Sequence, residues 1–286
     1  MSQSGQRNRE FEFTPHDFAR VRELIYHRAG ISLSEIKSDM VYNRLGRNVR
    51  RAGHRTFKAY LDFIEEANNA LEWEAFTNAL TTNLTAFFRE AHHFPILAEH
   101  MLALQPGIKI WCAASSTGEE AYSIAMTACE IFGTLKPQVE ILATDIDTRV
   151  LSVAKRGVFP ISSVANLSDE RRTNFFLRGK GGCEGSVKVC NALRKMVTFK
   201  QMNLLSLNLP VEGQFDAIFC RNVMIYFDNP TRSTILEGFR PLLKKSGLLF
   251  VGHSENLNYV SNAFKLRGNT VYELNDGQST AARGKQ

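Results

Sequence analysis

A short loop near the middle of the chain has the composition of a ligand-binding site. Small side chains at 113–116 lead to Gly118, and two carboxylates, Glu119 and Glu120, follow at the start of a predicted helix. Small residues between a strand and a helix let the backbone approach a ligand closely. The two carboxylates would repel a phosphate but accept a neutral or cationic nucleoside. The loop therefore favours S-adenosylmethionine, which carries a sulfonium and an ammonium.

The glycine pattern and a second acidic position support this choice. The loop has one glycine where a dinucleotide fingerprint needs three, and no Lys-Ser/Thr pair follows as in a P-loop. Asp145 ends the predicted strand after 139–143, where an acidic residue accepts hydrogen bonds from ribose hydroxyls. The alternative is helix capping, since Asp145 or Asp147 can cap the helix that begins near Thr148.

The elements around these residues predict an α/β domain. Strand and helix patterns alternate from Ile108 to Arg156, which is typical of a parallel sheet with right-handed crossovers. An interruption at 160–195 is interpreted as an inserted helix and small antiparallel hairpin. Further strands are predicted at 197–202, 215–220, 248–252 and in a final hairpin over 264–274. Seven strands, the last two in a hairpin, indicate the Rossmann-like fold of S-adenosylmethionine methyltransferases.

The first 80 residues predict a separate all-α domain. Four apolar-periodic segments begin at residues 14, 34, 56 and 71. The expected organisation is a helical domain at 11–80, a linker and lead-in helix at 81–107, and a methyltransferase domain at 108–276 containing the insertion at 160–195. Residues 1–10 and the polar tail after Asn275 are expected to be disordered.

Composition narrows the class of protein. Of 286 residues, 44% are hydrophobic and 22% charged, which is ordinary for a globular chain. No apolar run approaches the ~18 residues of a membrane span, and the N-terminus lacks a signal peptide. Five cysteines form no C-x-x-C pair, and the pair His92-His93 and His253 lack a third ligand at useful spacing. We expect a cytoplasmic protein without a metal.

The net charge of +6 is concentrated in one segment. Residues 16–58 contain ten Lys and Arg against four acidic residues, a net of +6, which leaves 25 basic and 25 acidic residues elsewhere. Such a segment predicts an acidic partner. We assign recognition of this partner to the arginines of the segment's second helix and the turn after it: Arg44, Arg47, Arg50, Arg51 and Arg55.

Five motifs in order resemble one family. They are TTNLTAFFRE (81–90), STGEEAYS (116–123), ATDID (143–147), CRNVMIYF (220–227) and GHSEN (252–256). Together they resemble the CheR family of chemotaxis receptor methyltransferases, over about residues 18–274. The resemblance implies transfer of a methyl group from S-adenosylmethionine to glutamate side chains on the cytoplasmic helical bundle of chemoreceptors. This acidic bundle would be the partner of the basic segment, so its five arginines are assigned to receptor recognition. The products would be glutamate methyl esters and S-adenosylhomocysteine, with a role in chemotactic adaptation.

The resemblance also implies the site residues. Arg89 and Tyr226 would lie closest to the transferred methyl group as catalytic residues. The insertion resembles a β-subdomain that, in some members, binds a receptor C-terminal peptide by strand addition, and its glycine-rich turn at 179–182 is similar to theirs. The cofactor-binding residues implied are Asn83, Thr85, Arg89, Glu120, Asp145, Asn203, Leu204, Arg221 and Asn222.

The implied chemistry needs no general base. A glutamate has an unperturbed pKa near ~4.3, so it is already a nucleophile at neutral pH. The enzyme must remove water from the carboxylate and hold it in line with the methyl–sulfur bond. The fork of an arginine suits that task.

Three other hypotheses remain open at this point. An RNA methyltransferase would suit the pI of 9.1, although the Asn/Asp-Pro-Pro-aromatic motif of amino-methylating enzymes is replaced by Arg221-Asn222-Val-Met. Cys220 at a strand end is either a nucleophile for C5-pyrimidine methylation or a small buried residue. A non-catalytic sensor would bind the cofactor without transfer. The preferred hypothesis is a cytoplasmic monomer recruited to membrane receptor clusters, without nucleic-acid binding or membrane insertion.

Overall fold

The computed structural model divides the chain into two compact units between Thr82 and Asn83. It describes residues 9–66, 69–206, 211, 213–257 and 260–275. The expectations for residues 1–8 and for the tail from 276 onward lie outside the described residues.

The N-terminal unit consists of helices, as its apolar periodicity predicts. Thr14 and Asp17 form a capping box at the first helix, in which the Asp17 N–H donates to Thr14 Oγ1 over 3.1 Å and the Thr14 N–H donates to Asp17 Oδ2 over 2.9 Å. The buried faces meet in a core that includes Val21, Ile25 and Leu45. The helices are α1 Pro15–Ala29, α2 Ser38–Arg51, α3 Phe57–Glu66 and α4 Ala70–Leu80.

The C-terminal unit contains the predicted seven-stranded sheet. Its helices are α5 His93–Leu102, α6 Glu119–Phe132, α7 Thr148–Arg156, α8 Asp169–Phe175, α9 Asn191–Met196 and α10 Asn229–Phe239. Its strands are β1 Ile108–Cys112, β2 Val139–Asp145, β3 Val158–Pro160, β4 Phe176–Arg178, β5 Ser186–Val189, β6 Val197–Gln201, β7 Phe215–Cys220, β8 Leu243–Val251, β9 Phe264–Gly268 and β10 Val271–Leu274.

The strand order of the large sheet is β6-β2-β1-β7-β8-β10-β9. The first five strands are parallel, and β10 is antiparallel to both of its neighbours. The central strands β1 and β7 are buried on both faces, which explains their nearly continuous apolar sequences. The predicted fold class is confirmed. The order reverses at β1, so a crevice forms at the carboxyl ends of the strands on either side of it.

The insertion is a three-stranded antiparallel sheet of order β3-β5-β4. The sequence predicts only a hairpin, which corresponds to β4 and β5, together with the short helix α8. The third strand, β3, was missed because it has three residues and ends in Pro160, too short for a period-two pattern.

The first turn of α6 depends on a glycine for two reasons. Gly118 has φ of +99°, and a Cβ there would lie 2.9 Å from the Cβ of Ala154 in α7. Gly133, at the other end of α6, has φ of +61° but no atom within 4 Å of its Cβ position. A substitution at Gly133 therefore introduces backbone strain alone, whereas one at Gly118 introduces backbone strain and steric overlap.

We predict that Gly118→Ala lowers the free energy of unfolding by about 2–4 kcal/mol, because strain and overlap add. Gly133→Ala is the matched control and should cost about 1 kcal/mol, the strain alone. Urea unfolding of both variants measures the difference. Equal costs would show that α6 moves away from α7 without penalty.

Candidate active site

The predicted site residues of the C-terminal unit meet at the carboxyl edge of the parallel strands. Asp145 ends β2, the small-residue loop follows β1, Asn203 follows β6, and Arg221 follows β7. Parallel strands end at a common edge, which brings together residues more than 100 positions apart in sequence. The crevice of the candidate site lies at this edge.

Asp145 faces the loop after β1 and does not cap a helix. Its Oδ2 accepts a hydrogen bond of 2.8 Å from the Ser116 N–H, and its Oδ1 accepts one of 2.9 Å from the Asp147 N–H. Burial raises the pKa of Asp145. Asp147 is the cap of α7, since its Oδ1 accepts from the Arg149 N–H over 2.9 Å. Of the two aspartates that could cap this helix, Asp147 does so, and the ribose role of Asp145 stays a prediction.

Asn83 and the loop after β1 are tied to these aspartates. Asn83 Nδ2 donates to Asp147 Oδ2 over 2.9 Å, and the Asn83 carbonyl accepts from Ser116 Oγ over 3.0 Å. Ser116 has φ of +48°. Ser115 Oγ is buried and has no hydrogen-bond partner among the residues that the structure describes. A buried hydroxyl without a partner is costly, so a polar ligand at this loop would complete it.

Arg221 joins three segments of the crevice. Its side chain is 1% exposed, and Nη1 donates to Glu120 Oε2 over 2.7 Å. Nη2 lies 3.1 Å from Glu90 Oε2 and also donates to the Arg89 carbonyl. The second oxygen of Glu120 accepts from the Cys112 thiol over 3.1 Å. Arg221 and Glu120, both predicted to bind the cofactor, are therefore bonded to each other.

Glu90 is a crevice residue that sequence reasoning missed. Its Oε1 accepts from Asn222 Nδ2 over 2.9 Å, and its Oε2 accepts from the His253 N–H over 3.2 Å. Burial acts to raise the pKa of Glu90, but the hydrogen bond from Asn222 and the charge of Arg221 outweigh burial and lower it. The only signal was its place as the last residue of the motif 81–90.

Glu255 was also missed and holds the loop after β7. Its Oε2 accepts from the N–H groups of Asn222 (2.8 Å) and Gly252 (2.6 Å), and its Oε1 from that of Ile225 (3.3 Å). Burial raises its pKa. A Cβ at Gly252 would lie 2.4 Å from Asn222 Nδ2, so only glycine permits this approach. Glu255 thereby positions the single-turn helix that contains Tyr226.

The two predicted catalytic residues are partly exposed. Arg89 Nη1 donates to the Leu84 carbonyl over 2.8 Å. The residues on either side of it, Phe88 and Glu90, have φ of +53° and +52°. Residues other than glycine rarely adopt this backbone conformation. Thr85, Asn203 and Leu204, the other predicted cofactor residues, are partly exposed as well.

One group of described residues has metal-ligating atoms close together: Glu90, His92 and His93, within 4.8 Å of one another. The Arg221 guanidinium, 3.1 Å from the Glu90 carboxylate, already balances that charge and would repel a cation. The described residues thus fit a metal poorly at this place.

Cys220 lacks the properties of a nucleophile. The residue is buried, and burial, followed by the charge of Glu255, raises its thiol pKa well above the usual range. A reactive cysteine requires a lowered pKa and access. The structure favours the interpretation of Cys220 as a small buried residue.

Two of the arginines assigned to receptor recognition are bonded within the helical unit. Arg44 Nη1 donates to the Thr81 carbonyl over 2.7 Å, near the end of α4. Arg51 forms a 2.6 Å ion pair with Glu72, a buried carboxylate that also accepts from the Tyr60 hydroxyl over 2.9 Å. These two arginines therefore connect α2 to α4.

The other three are on the surface. Arg50 pairs with Glu10 in an exposed ion pair. Arg47 and Arg55 are exposed, and neither side chain has a hydrogen-bond or ionic partner in the part of the chain that the structure describes. Arg47 and Arg55 are therefore the arginines most available to an external partner.

The chain matches two family models in succession. Residues 16–81 match the all-alpha domain of CheR methyltransferases, and residues 83–273 match their SAM binding domain. The second match alone covers more than half of the chain. The chain belongs to the CheR methyltransferase family.

Curated relatives agree with this assignment. The CheR-family chain is 52% identical over 257 residues to the chemotaxis protein methyltransferase of Salmonella typhimurium, covering 90% of this chain and 89% of that protein. It is 51% identical over 257 residues to that of Escherichia coli, covering 90% of each. It is 47% identical over 268 residues to chemotaxis protein methyltransferase 2 of Pseudomonas aeruginosa, covering 93% and 95%. The predicted family is confirmed. The chain is therefore an S-adenosylmethionine-dependent chemotaxis protein methyltransferase.

Among the described residues of this CheR-family chain, none of the helices has both the length and the apolar character that a membrane span needs.

We predict that Asp145→Ala weakens S-adenosylmethionine binding at least tenfold, about 1.4 kcal/mol. The variant loses the carboxylate and frees the two backbone N–H groups that shape the loop. Asp228→Ala, which removes the cap of α10, is the control for a general loss of stability. Calorimetric titration measures both. An unchanged affinity in folded Asp145→Ala would remove this residue from the site.

A second prediction concerns pH. Burial, and then the charge of Arg221, lowers the pKa of His93 to about 4, while its Nε2 donates to the Asn269 carbonyl over 2.9 Å. The unfolded chain, with a histidine pKa near 6.5, binds the extra proton between about pH 4 and 6.5. The free energy of unfolding should therefore fall by about 2 kcal/mol from pH 7 to pH 5 through this residue.

The variant His93→Gln should lose this part of the acid sensitivity, whereas His253→Gln, at an exposed histidine of the same unit, should keep it. Urea unfolding at the two pH values makes the comparison. The same pH dependence in His93→Gln and the unmodified chain would contradict the neutral buried histidine.

Proposed function

We propose that the chain transfers the methyl group of S-adenosylmethionine to glutamate side chains on the cytoplasmic helical bundle of chemoreceptors. The single observation that carries the proposal is the position of Arg89, partly exposed beside an acidic crevice and anchored by the Leu84 carbonyl. The names of the curated relatives support a chemotaxis substrate. We infer a role in adaptation, in which receptor methylation changes signalling.

The charge of the crevice suits this cofactor. Arg221 is the cation of a cluster that contains the carboxylates of Glu90 and Glu120, and Asp145 lies at the end of β2, on the other side of β1. Carboxylates in excess favour a sulfonium and an ammonium and disfavour a phosphate. The unpartnered Ser115 hydroxyl supplies a further polar contact. When bound, the cofactor would supply an electrophilic methyl group on positively charged sulfur.

We assign cofactor contacts to the residues around this crevice. Asp145 would accept the ribose hydroxyls, and Asn203 and Leu204 after β6 would lie on the nucleoside side. The remaining members are Asn83, Thr85, Arg89, Glu120, Arg221 and Asn222. Arg221 is paired through Nη1 and Nη2 and acts in this proposal by holding Glu120 and Glu90 in place.

Arg89 would hold the acceptor carboxylate. The Leu84 carbonyl accepts from Nη1, which leaves the other N–H groups of the guanidinium for the acceptor carboxylate. A bidentate grip then aligns both carboxylate oxygens, and the ionised glutamate attacks without a general base. Opposite charges disappear in the transition state, so a grip that is too strong would slow the transfer. Tyr226 would line the other side of the acceptor.

The central experiment incubates the chain with labelled S-adenosylmethionine and receptor-containing membranes. Glutamate methyl esters are base-labile, so we expect label that is released by mild alkali. A chain that binds the cofactor but labels no receptor would contradict the proposal and favour the sensor hypothesis. Base-stable label on RNA would favour the nucleic-acid alternative.

We predict that Arg89→Ala removes most methyl transfer, while Arg89→Lys recovers only part of it. A lysine supplies a point charge and cannot align both carboxylate oxygens. Steady-state rates on receptor membranes measure the three proteins. Full activity in Arg89→Lys would mean that positive charge suffices and that the bidentate grip is wrong.

We propose that the basic helical unit recognises an acidic receptor surface. Arg47 and Arg55 are exposed and unengaged in the described part of the chain, and Arg50 is held only by an exposed pair with Glu10. Arg44 and Arg51 are retained in the proposed surface, but their internal bonds make them poor test positions. Reversing either charge would also remove a bond that connects α2 to α4 or its end.

We therefore predict that Arg47→Glu/Arg55→Glu raises the apparent KM for receptor membranes several-fold and flattens its dependence on salt. Individual exposed charges contribute only ~0.2–1 kcal/mol, so two substitutions are combined. Lys245→Glu/Arg267→Glu, at exposed positions of the other unit, gives the same change in net charge and should leave KM unchanged. An identical KM in both double variants would contradict a specific basic surface.

The inserted sheet offers a place for a receptor C-terminal peptide. Strand β4 lies at the edge of the small sheet, and Leu177 within it is 59% exposed. An extended peptide can add as a strand to such an edge, with side chains in alternate pockets. We propose this mode of tethering for a monomeric, cytoplasmic enzyme recruited to receptor clusters.

A further inference from the structure

One arginine of the inserted subdomain contacts both the segment that carries Arg89 and the helix that begins at the loop after β1. Arg171 lies in α8, and its Nε and Nη2 donate to the two carboxylate oxygens of Glu130, in α6, over 2.7 and 2.8 Å. Its Cζ lies 3.8 Å from the centroid of the Phe88 ring. The guanidinium thus contacts a carboxylate fork and an aromatic face at the same time.

This geometry restricts the orientation of the guanidinium. A single exposed ion pair contributes little because both side chains remain mobile. A bidentate fork fixes the plane of the guanidinium, and a cation at 3.8 Å from a ring is within the range of a cation–π interaction. Arg171 and Glu130 are also only about one-third exposed. The position of the Phe88 ring is therefore tied to α6 and α8 together.

Phe88 is directly bonded to Arg89 and has φ of +53°. Its N–H donates to Ser123 Oγ over 2.9 Å, and that hydroxyl donates to the Glu119 carbonyl over 2.7 Å. The strained peptide before Arg89 is thus held on its backbone side by α6. Arg171 supplies the restraint on its side chain.

We propose that Arg171 is a positioning residue for methyl transfer: by stacking on Phe88 while bonded to Glu130, it fixes the strained peptide that presents Arg89. The inference rests on the proposed role of Arg89 in holding the acceptor carboxylate. It assigns the inserted subdomain a second task besides the tethering proposed above. Through α8, that subdomain contributes to the geometry of the acceptor site.

The test compares Arg171→Ala, Arg171→Lys and the neighbouring Arg172→Ala. Arg172 is on the same helix and pairs with Asp169. Misplacement of a group that orients the acceptor lowers the rate of the chemical step more than binding, so Arg171→Ala should lower kcat on receptor membranes about tenfold. The Kd for S-adenosylmethionine and the KM for membranes should change less than twofold. Arg171→Lys, which keeps the charge but loses the planar fork, should be intermediate, and Arg172→Ala should match the unmodified chain.

Hydrogen exchange measured by mass spectrometry provides a readout that does not depend on activity. In Arg171→Ala, the peptide that covers residues 84–92 should exchange faster, because the Phe88 N–H loses part of its protection. Arg172→Ala should leave that exchange unchanged. A double-mutant cycle with Phe88→Leu should show that Arg171→Ala has little further effect once the ring is absent.

The outcomes separate this inference from the proposed function. If the unmodified chain labels no receptor, the proposed function fails, and the exchange measurement still decides whether Arg171 restrains the Phe88 segment. If Arg171→Ala keeps the kcat or the exchange rate of the unmodified chain, the inference is overturned. An equal loss in Arg172→Ala would also overturn it, because the effect would then be a general property of α8.

Discussion

The crevice depends on one buried cation held between two carboxylates. Arg221 enters from the end of β7, Glu120 from the first turn of α6 and Glu90 from the segment that follows Arg89. A buried charge is costly unless it is paired and hydrogen-bonded, so the packing of these three segments must keep the guanidinium beside both carboxylates. Removing one partner would leave the others uncompensated in a low-dielectric setting. The ion pairs of Arg221 with Glu90 and Glu120 therefore also fix the positions of the segments that line the site.

The sign of the charge that remains explains the choice of cofactor. Two carboxylates around one guanidinium leave an excess of negative charge, and Asp145 adds to it on the other side of β1. The pKa of Glu90 is lowered in this environment, which keeps that carboxylate ionised, whereas burial raises that of Asp145. A doubly wound sheet with phosphate-binding glycines would present the opposite field at this edge. The architecture is shared with nucleotide-binding folds, but the acidic first turn of α6 selects a cationic nucleoside.

The sequence predicts strand ends better than it predicts partners. Asp145, Asn203 and Arg221 stand at or just beyond the ends of predicted strands, so a parallel sheet must bring them to one edge. Glu90 and Glu255 are missed because their importance lies in backbone and side-chain donors that only the folded loops bring near. The charge count over 16–58 is similarly incomplete. It identifies a basic segment but cannot show that Arg44 and Arg51 are bonded to α4 and its end, and only the structure separates these from the exposed Arg47 and Arg55.

Backbone strain recurs in the loops around the crevice. Ser116, Phe88 and Asn222 all have positive φ, and the N–H of each is held by a fixed acceptor: Asp145, Ser123 and Glu255 respectively. Such conformations are unfavourable by about 1–3 kcal/mol each and persist only when the surroundings determine them. In the proposed reaction the acceptor is an ionised glutamate that needs no activation, so the rate would depend on how well acceptor and methyl donor are aligned. A crevice whose loops have few alternative conformations meets that demand, since the cost of ordering them is met during folding and not at each encounter with a substrate.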